Sequence, residues 1–119
     1  MPLSDRDFTI KRNDTLPKLE VSIYGTGCLG QTTNFDLTGA TGVTFSMVDT
    51  TGNYKIAGKA GQILSSSGGT IQYSWVSEDT DQEGVYNGEF QINYSNGDRL
   101  SVPQQGFINI EIFRDIIPY

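Results

Sequence analysis

TIQYSWVSEDTDQEGVYNGEFQINY, residues Thr70 to Tyr94, is the stretch that decides the fold class. In its first arm Ile71, Tyr73 and Trp75 alternate with Gln72, Ser74 and Val76. In its second arm Tyr86, Phe90, Ile92 and Tyr94 fall on one face, Gln91 and Asn93 on the other. A side-chain period of two belongs to a strand, not a helix. Between the arms, Ser77–Gly84 is acidic and too polar for a core, so it is a loop joining two strands.

At the entry to the second arm stands Asp81-x-x-Gly84-x-Tyr86. It resembles the corner before the penultimate strand of an immunoglobulin-like sandwich, where a tyrosine hydroxyl bonds back to the backbone just upstream. An Asp can accept from turn amides and a Gly can take a positive φ, so the residue types suit that geometry. The antibody disulfide is missing. Gly88 stands two residues after the tyrosine, where a cysteine would be, and Cys28 is the sole cysteine.

Outward from this pair the chain reads as further short strands. Phe8 and Ile10 lie on a short edge strand, followed by a turn at Lys11–Asp14, and Pro17 holds Leu16 extended. Leu19, Val21 and Ile23 alternate as a second strand; Gly25 to Asn34 reads as a loop. Val43, Phe45 and Met47 form a third strand, closed by the turn Asp49–Asn53 and paired as a hairpin with Tyr54–Ala57. Ile63-Leu64 is another short piece, and Ser65–Gly69 a connector between sheets. After Tyr94, Asn96-Gly97 suits a type I′ hairpin. Arg99–Val102 then pairs back until Pro103 ends the ladder. Ile108, Ile110 and Ile112 alternate as a last strand. The expectation is an all-β, immunoglobulin-like antiparallel β-sandwich of about seven to nine short strands with no disulfide. It occupies residues 8–115, between a flexible tail at 1–7 and a C-terminal tail at 116–119.

At 119 residues the chain is one domain, able to bury roughly two-thirds of its unfolded surface. Fourteen acidic against eight basic residues give a net charge of −6. Such a surface repels phosphate backbones and anionic lipid, so neither nucleic acid nor membrane is expected as a partner. No apolar run approaches the roughly 20 residues that span a bilayer. The start, Met1–Asp5, lacks the basic and apolar regions of a signal peptide.

The chain has no histidine, which removes the commonest general base and the commonest transition-metal ligand. No enzyme, cofactor or metal site is expected. Gly25-x-Gly27-x-x-Gly30 has the form of a dinucleotide loop, but Gln31–Asn34 opens no helix and no βαβ unit surrounds it. Glu78, Asp79, Asp81 and Glu83 carry oxygen ligands of the kind calcium takes, at spacings that match no calcium loop. Tyr73, Trp75, Tyr86 and Tyr94 would line a glycan-binding face if exposed; their alternation favours the core, with Trp75 at its centre.

Several stretches together resemble one family. They are Phe8-Thr-Ile-Lys-Arg-Asn-Asp-Thr-Leu-Pro17 and Asp36-Leu-Thr-Gly-Ala-Thr-Gly-Val-Thr-Phe-Ser-Met47. Further along come Tyr73-Ser-Trp75 with Asp79-Thr80, then Gly84-x-Tyr86 with Glu89-Phe90, the Asn96-Gly97 hairpin and Phe107-Ile-Asn-Ile110. In order and spacing they look like the N-terminal domain of phage baseplate upper proteins, over residues 8–115. The resemblance implies a structural protein of a tailed-phage virion, made in the host cytoplasm. It would be an assembly or adaptor module of the tail or baseplate, in many copies among other virion proteins. A capsid decoration protein and a glycan-binding module on a virion surface are the alternatives. Phe8 and Ile10 on the edge strand, with the apolar Ile116, Ile117 and Tyr119, are the expected partner-binding residues.

Overall fold

The computed structural model describes residues 7–26, 32–34, 36–103 and 106–116. These form two main β-sheets facing one another. In chain order the strands are β1 (Asp7–Lys11), β2 (Leu19–Ser22), β3 (Tyr24–Thr26), β4 (Thr32–Asn34), β5 (Ala40–Asp49) and β6 (Tyr54–Ala60). They continue with β7 (Gln62–Ser65), β8 (Thr70–Tyr73), β9 (Gly84–Tyr94), β10 (Arg99–Val102) and β11 (Ile108–Phe113). The larger sheet has the order β1-β11-β9-β5-β6, the smaller β2-β8-β7, and β3 and β4 make a ribbon of their own. This is an immunoglobulin-like sandwich without a disulfide.

β9, the second arm of the deciding stretch, holds the larger sheet together. One flank pairs with β5 over nearly its whole length, from Ala40↔Tyr94 to Asp49↔Tyr86. Its other flank is shared: Gly84 to Gly88 pair with β11, and Phe90 to Asn93 pair with β10. The first arm, β8, is the middle strand of the smaller sheet, so the acidic loop carries the chain from one sheet to the other.

The interior is built by the expected alternation. Phe45, Phe90, Met47, Ile56, Ile71, Ile92 and Ile110 are all essentially inaccessible. Trp75 keeps only 4% of its surface. Phe45 packs on Tyr73 and on Phe90 at 4.8 Å each and meets Trp75 edge-on at 5.8 Å, while Phe8 stacks on Trp75 at 5.6 Å. Offset and edge-to-face ring pairs of this kind are favoured beyond the area they bury. Gly88 makes room for them: a Cβ there would stand 2.6 Å from Ile110 Cδ1 and 2.8 Å from Phe45 Cζ. The site of the antibody cysteine is thus filled from the two strands that flank β9 in its own sheet.

Four features differ from the sequence reading. β1 runs parallel to β11, with Phe8 beside Ile110 and Ile10 beside Ile112, because the first strand joins the sheet at the flank of the last. The region expected to be one loop from Gly25 contains the β3–β4 ribbon, in which Gly25 pairs with Thr33. Eleven strands therefore appear among the described residues, against about seven to nine expected from turn spacing. Finally, Ser77–Thr80 winds into a single 3-10 turn inside the acidic loop. Strand β1 begins at Asp7, and the tail segments 1–6 and 117–119 lie outside the described residues.

Candidate functional site

The buried polar side chains of the acidic loop are committed to holding the sandwich shut. Asp79, on the 3-10 turn, is 1% exposed. Its Oδ2 accepts from the Tyr73 hydroxyl at 2.7 Å and from the Val76 amide at 3.0 Å, and its Oδ1 from Lys59 Nζ at 2.9 Å. One carboxylate thereby ties β8, the turn and β6, joining the two sheets. Thr80, fully buried, donates its hydroxyl to the Asp14 carbonyl at 2.9 Å, while Asn13 N–H donates to the Thr80 carbonyl at 2.9 Å. The loop after β1 is thus fastened to the loop before β9. Burial, and then the neighbouring Asp79, push the Tyr73 phenol well above the usual tyrosine range.

The tyrosine corner forms as read: the Tyr86 hydroxyl donates to the Gln82 carbonyl at 2.9 Å. Burial raises the pKa of this phenol; Lys55 opposes the shift, and Asp49 and Asp81 add to it. The acidic quartet does not converge. Asp79 turns inward to Lys59, Asp81 pairs with Lys55, and Glu78 and Glu83 stay exposed. Among the described residues no group of three or more carboxylate, cysteine or histidine side chains gathers around a common point. In the dinucleotide-like run, Gly25 lies in β3 and the chain goes on into β4, a strand where that fold needs a helix. Gly27, Cys28 and Gly30 lie outside the described residues.

The aromatic face does not exist as a surface. Tyr73, Trp75 and Tyr86 are buried, leaving Tyr94 half-buried beside a shallow groove with Asp36, Asp98, Arg99 and Leu100. The expected partner-binding residues are also redistributed. β1 is an edge strand as read, but its apolar side chains point inward: Ile10 is 4% exposed in the core and Phe8 packs on Trp75. Neither side chain is open to a partner, because period-two alternation on a strand over a core sends the apolar set inside. Ile116 is 95% exposed; Ile117 and Tyr119 lie outside the described residues.

What the surface does offer is concentrated at one end. The ends of β1 and β11, the starts of β2, β6 and β9, and the 3-10 turn all meet there. Leu16, Tyr54, Val76, Val85, Phe113 and Ile116 are exposed at this end, whereas Leu64 and Phe107 are the large apolar side chains exposed elsewhere among the described residues. Alternation alone could have found two of them: Val85 and Phe113 have the outward parity of strands whose inward residues are Tyr86 and Ile112. The other four sit in loops or at strand ends, where the sequence has no period to read.

No family model matches the chain, and no curated protein does. Among solved structures, it is similar to the crystal structure of CopC from Methylosinus trichosporium OB3b. The two share 12% identity, with a TM-score of 0.52 over 96% of this chain and 90% of that one. At that identity the likeness speaks for the fold alone. It leads to CopC and not to a component of a phage particle, so the expected role in a tailed-phage virion is corrected. That role, with its capsid and virion-glycan alternatives, rested on short sequence stretches, each partly generic to β-sandwiches. The glycan alternative also loses its exposed aromatic face.

Proposed function

We propose that this immunoglobulin-like domain is a recognition module without catalytic activity, and that it binds another protein through the end where β1, β11 and the 3-10 turn meet. The observation that carries this reading is the gathering of Leu16, Tyr54, Val76, Val85, Phe113 and Ile116 at that one end, exposed. Single exposed apolar side chains are ordinary, whereas several gathered at one end of a domain favour a contact surface. The buried polar groups support a non-catalytic role: Asp79 and Thr80 are both consumed in bonds that close the fold. A protein partner suits a chain of net charge −6 better than nucleic acid or an anionic membrane. A photo-crosslinking residue placed at Val85 or Ile116, compared with one at Leu64, tests this in cells making the protein. Discrete adducts from the first two positions and none from Leu64 are expected. No adduct from either, or equal labelling from all three, refutes the assignment of this end.

A further inference from the structure

Asn87 and Asn96 are the asparagines followed by glycine, and the fold treats them in opposite ways. A glycine leaves its own backbone nitrogen unshielded, so that nitrogen can attack the side-chain amide of the residue before it. Every other asparagine of the chain precedes a residue whose side chain stands in the way. Asn87 and Gly88 lie inside β9 with neighbours on both flanks: Asn87 beside Val48 and Asn109, Gly88 beside Met47 and Ile108. Closing a ring there means turning Asn87 out of the extended conformation and breaking both ladders. Gly88 is also packed, since a Cβ on it would overlap Ile110 and Phe45.

Asn96 and Gly97 form the exposed tip between β9 and β10. Gly97 has a φ of +94°, and a Cβ on it would meet nothing within 4 Å, so a ring closing here has open space. The Asn96 side chain is folded back on this turn: its Oδ1 accepts from the Asp98 amide at 2.9 Å, and its Nδ2 donates to Asp98 Oδ2 at 3.0 Å. The first of these bonds draws electrons from Cγ, the atom to be attacked. Gly97 N–H is held to the Tyr94 carbonyl at 3.1 Å, a bond at a loop tip that opens locally.

We propose that Asn96 is a site of spontaneous deamidation, with water as the co-reactant. The Gly97 nitrogen gives up its proton to a base in the solvent and bonds to Asn96 Cγ. The Cγ–Nδ2 bond then breaks, and that nitrogen takes up a proton and leaves as ammonia. Water opens the five-membered imide at either carbonyl, giving aspartate or isoaspartate with nothing oxidised or reduced. Either product sets a new carboxylate against Asp98 in place of the amide donor that Asp98 now holds. Isoaspartate also adds a carbon to the main chain, in the turn whose length sets Arg99 opposite Asn93. The purified chain, aged folded in mildly alkaline buffer beside the same chain unfolded in guanidinium chloride, tests this by peptide mapping with fragmentation that separates the two acids. In the unfolded chain both asparagines should convert at similar rates; in the folded chain Asn87 should be at least about tenfold slower than Asn96. The rate at Asn96 should rise with pH, because the attacking nitrogen must lose its proton, and isoaspartate should be among the products. Asn96→Gln should abolish the folded-state conversion. The proposal is overturned if Asn96 stays intact in the folded chain while the unfolded chain converts, if Asn87 converts equally fast in the folded chain, or if aspartate forms without isoaspartate.

Discussion

Replacing Asp79 by Ala should cost far more than replacing the lysine that pairs with it. Asp79 is 1% exposed, so its removal leaves the Tyr73 hydroxyl and the Val76 amide as donors with no acceptor in the site. A buried donor deprived of its partner costs about 1–3 kcal/mol, which puts the pair at about 4 kcal/mol. Lys59 adds little to the loss, because its side chain is 49% exposed and its ammonium returns to water. For a domain of 119 residues, about 1 kcal/mol moves the melting temperature by about 4 °C. Asp79→Ala should therefore lower it by about 16 °C. Lys59→Met leaves two hydrogen bonds on the carboxylate and should lower it by about 4 °C or less. Thermal unfolding followed by circular dichroism, with both variants against the parent, decides the matter. The reasoning is wrong if Asp79→Ala melts within a few degrees of the parent, or if the two variants lose equal stability.

Tyr86→Phe removes the bond to the Gln82 carbonyl and should cost about 1 kcal/mol; an unchanged melting temperature would deny the corner any energetic role. Trp75→Ala empties the site between Phe8, Phe45 and Tyr73 and should cost about 3–5 kcal/mol. The parent's sole tryptophan should emit to the blue and resist acrylamide quenching, and a red-shifted, easily quenched emission would contradict this packing. In alkali, burial holds the phenols of Tyr73 and Tyr86 above the ordinary tyrosine value of about 10. Folding therefore disfavours their ionised form: the stability they contribute is complete below that pH and declines as pH rises past it. Absorbance titration should find these two phenols ionising only together with unfolding; their early, reversible ionisation in the folded protein would refute it.

The sandwich was legible wherever its signals are local. Asp81-x-x-Gly84-x-Tyr86 announces its corner within six residues, and the burial of Tyr73, Trp75, Phe90 and Ile92 follows from alternation on two strands. The parallel pairing of β1 with β11 was not legible, because no local pattern records which flank a strand will join. Asp79 illustrates the limit from the other side. Among Glu78, Asp81 and Glu83 it looks like one more solvated acid, and only the meeting of β6, β8 and the 3-10 turn makes it a buried tie. Phe8 and Ile10 were placed on the right strand, but the inward turn of their side chains was not read, since an edge strand exposes its backbone and can still bury its side chains. The exposed apolar end was hidden for a similar reason: loops from distant parts of the sequence build it.

The parallel seam between β1 and β11 also sets a timetable for the growing polypeptide. Asp7 lies beside Asn109 and Lys11 beside Phe113, with no other strand of the larger sheet next to β1. Made before the other strands of its sheet, β1 has no sheet to join until Phe113 has also emerged. Closing a seam of such sequence separation comes late and slowly. In the interval, the strand carrying Phe8 and Ile10 is a sticky ribbon, and so is the flank of β9 awaiting β11. A nascent chain paused before Ile108 would thus expose both sides of its missing last strand at once, a state that holdase chaperones or neighbouring nascent chains would be first to meet.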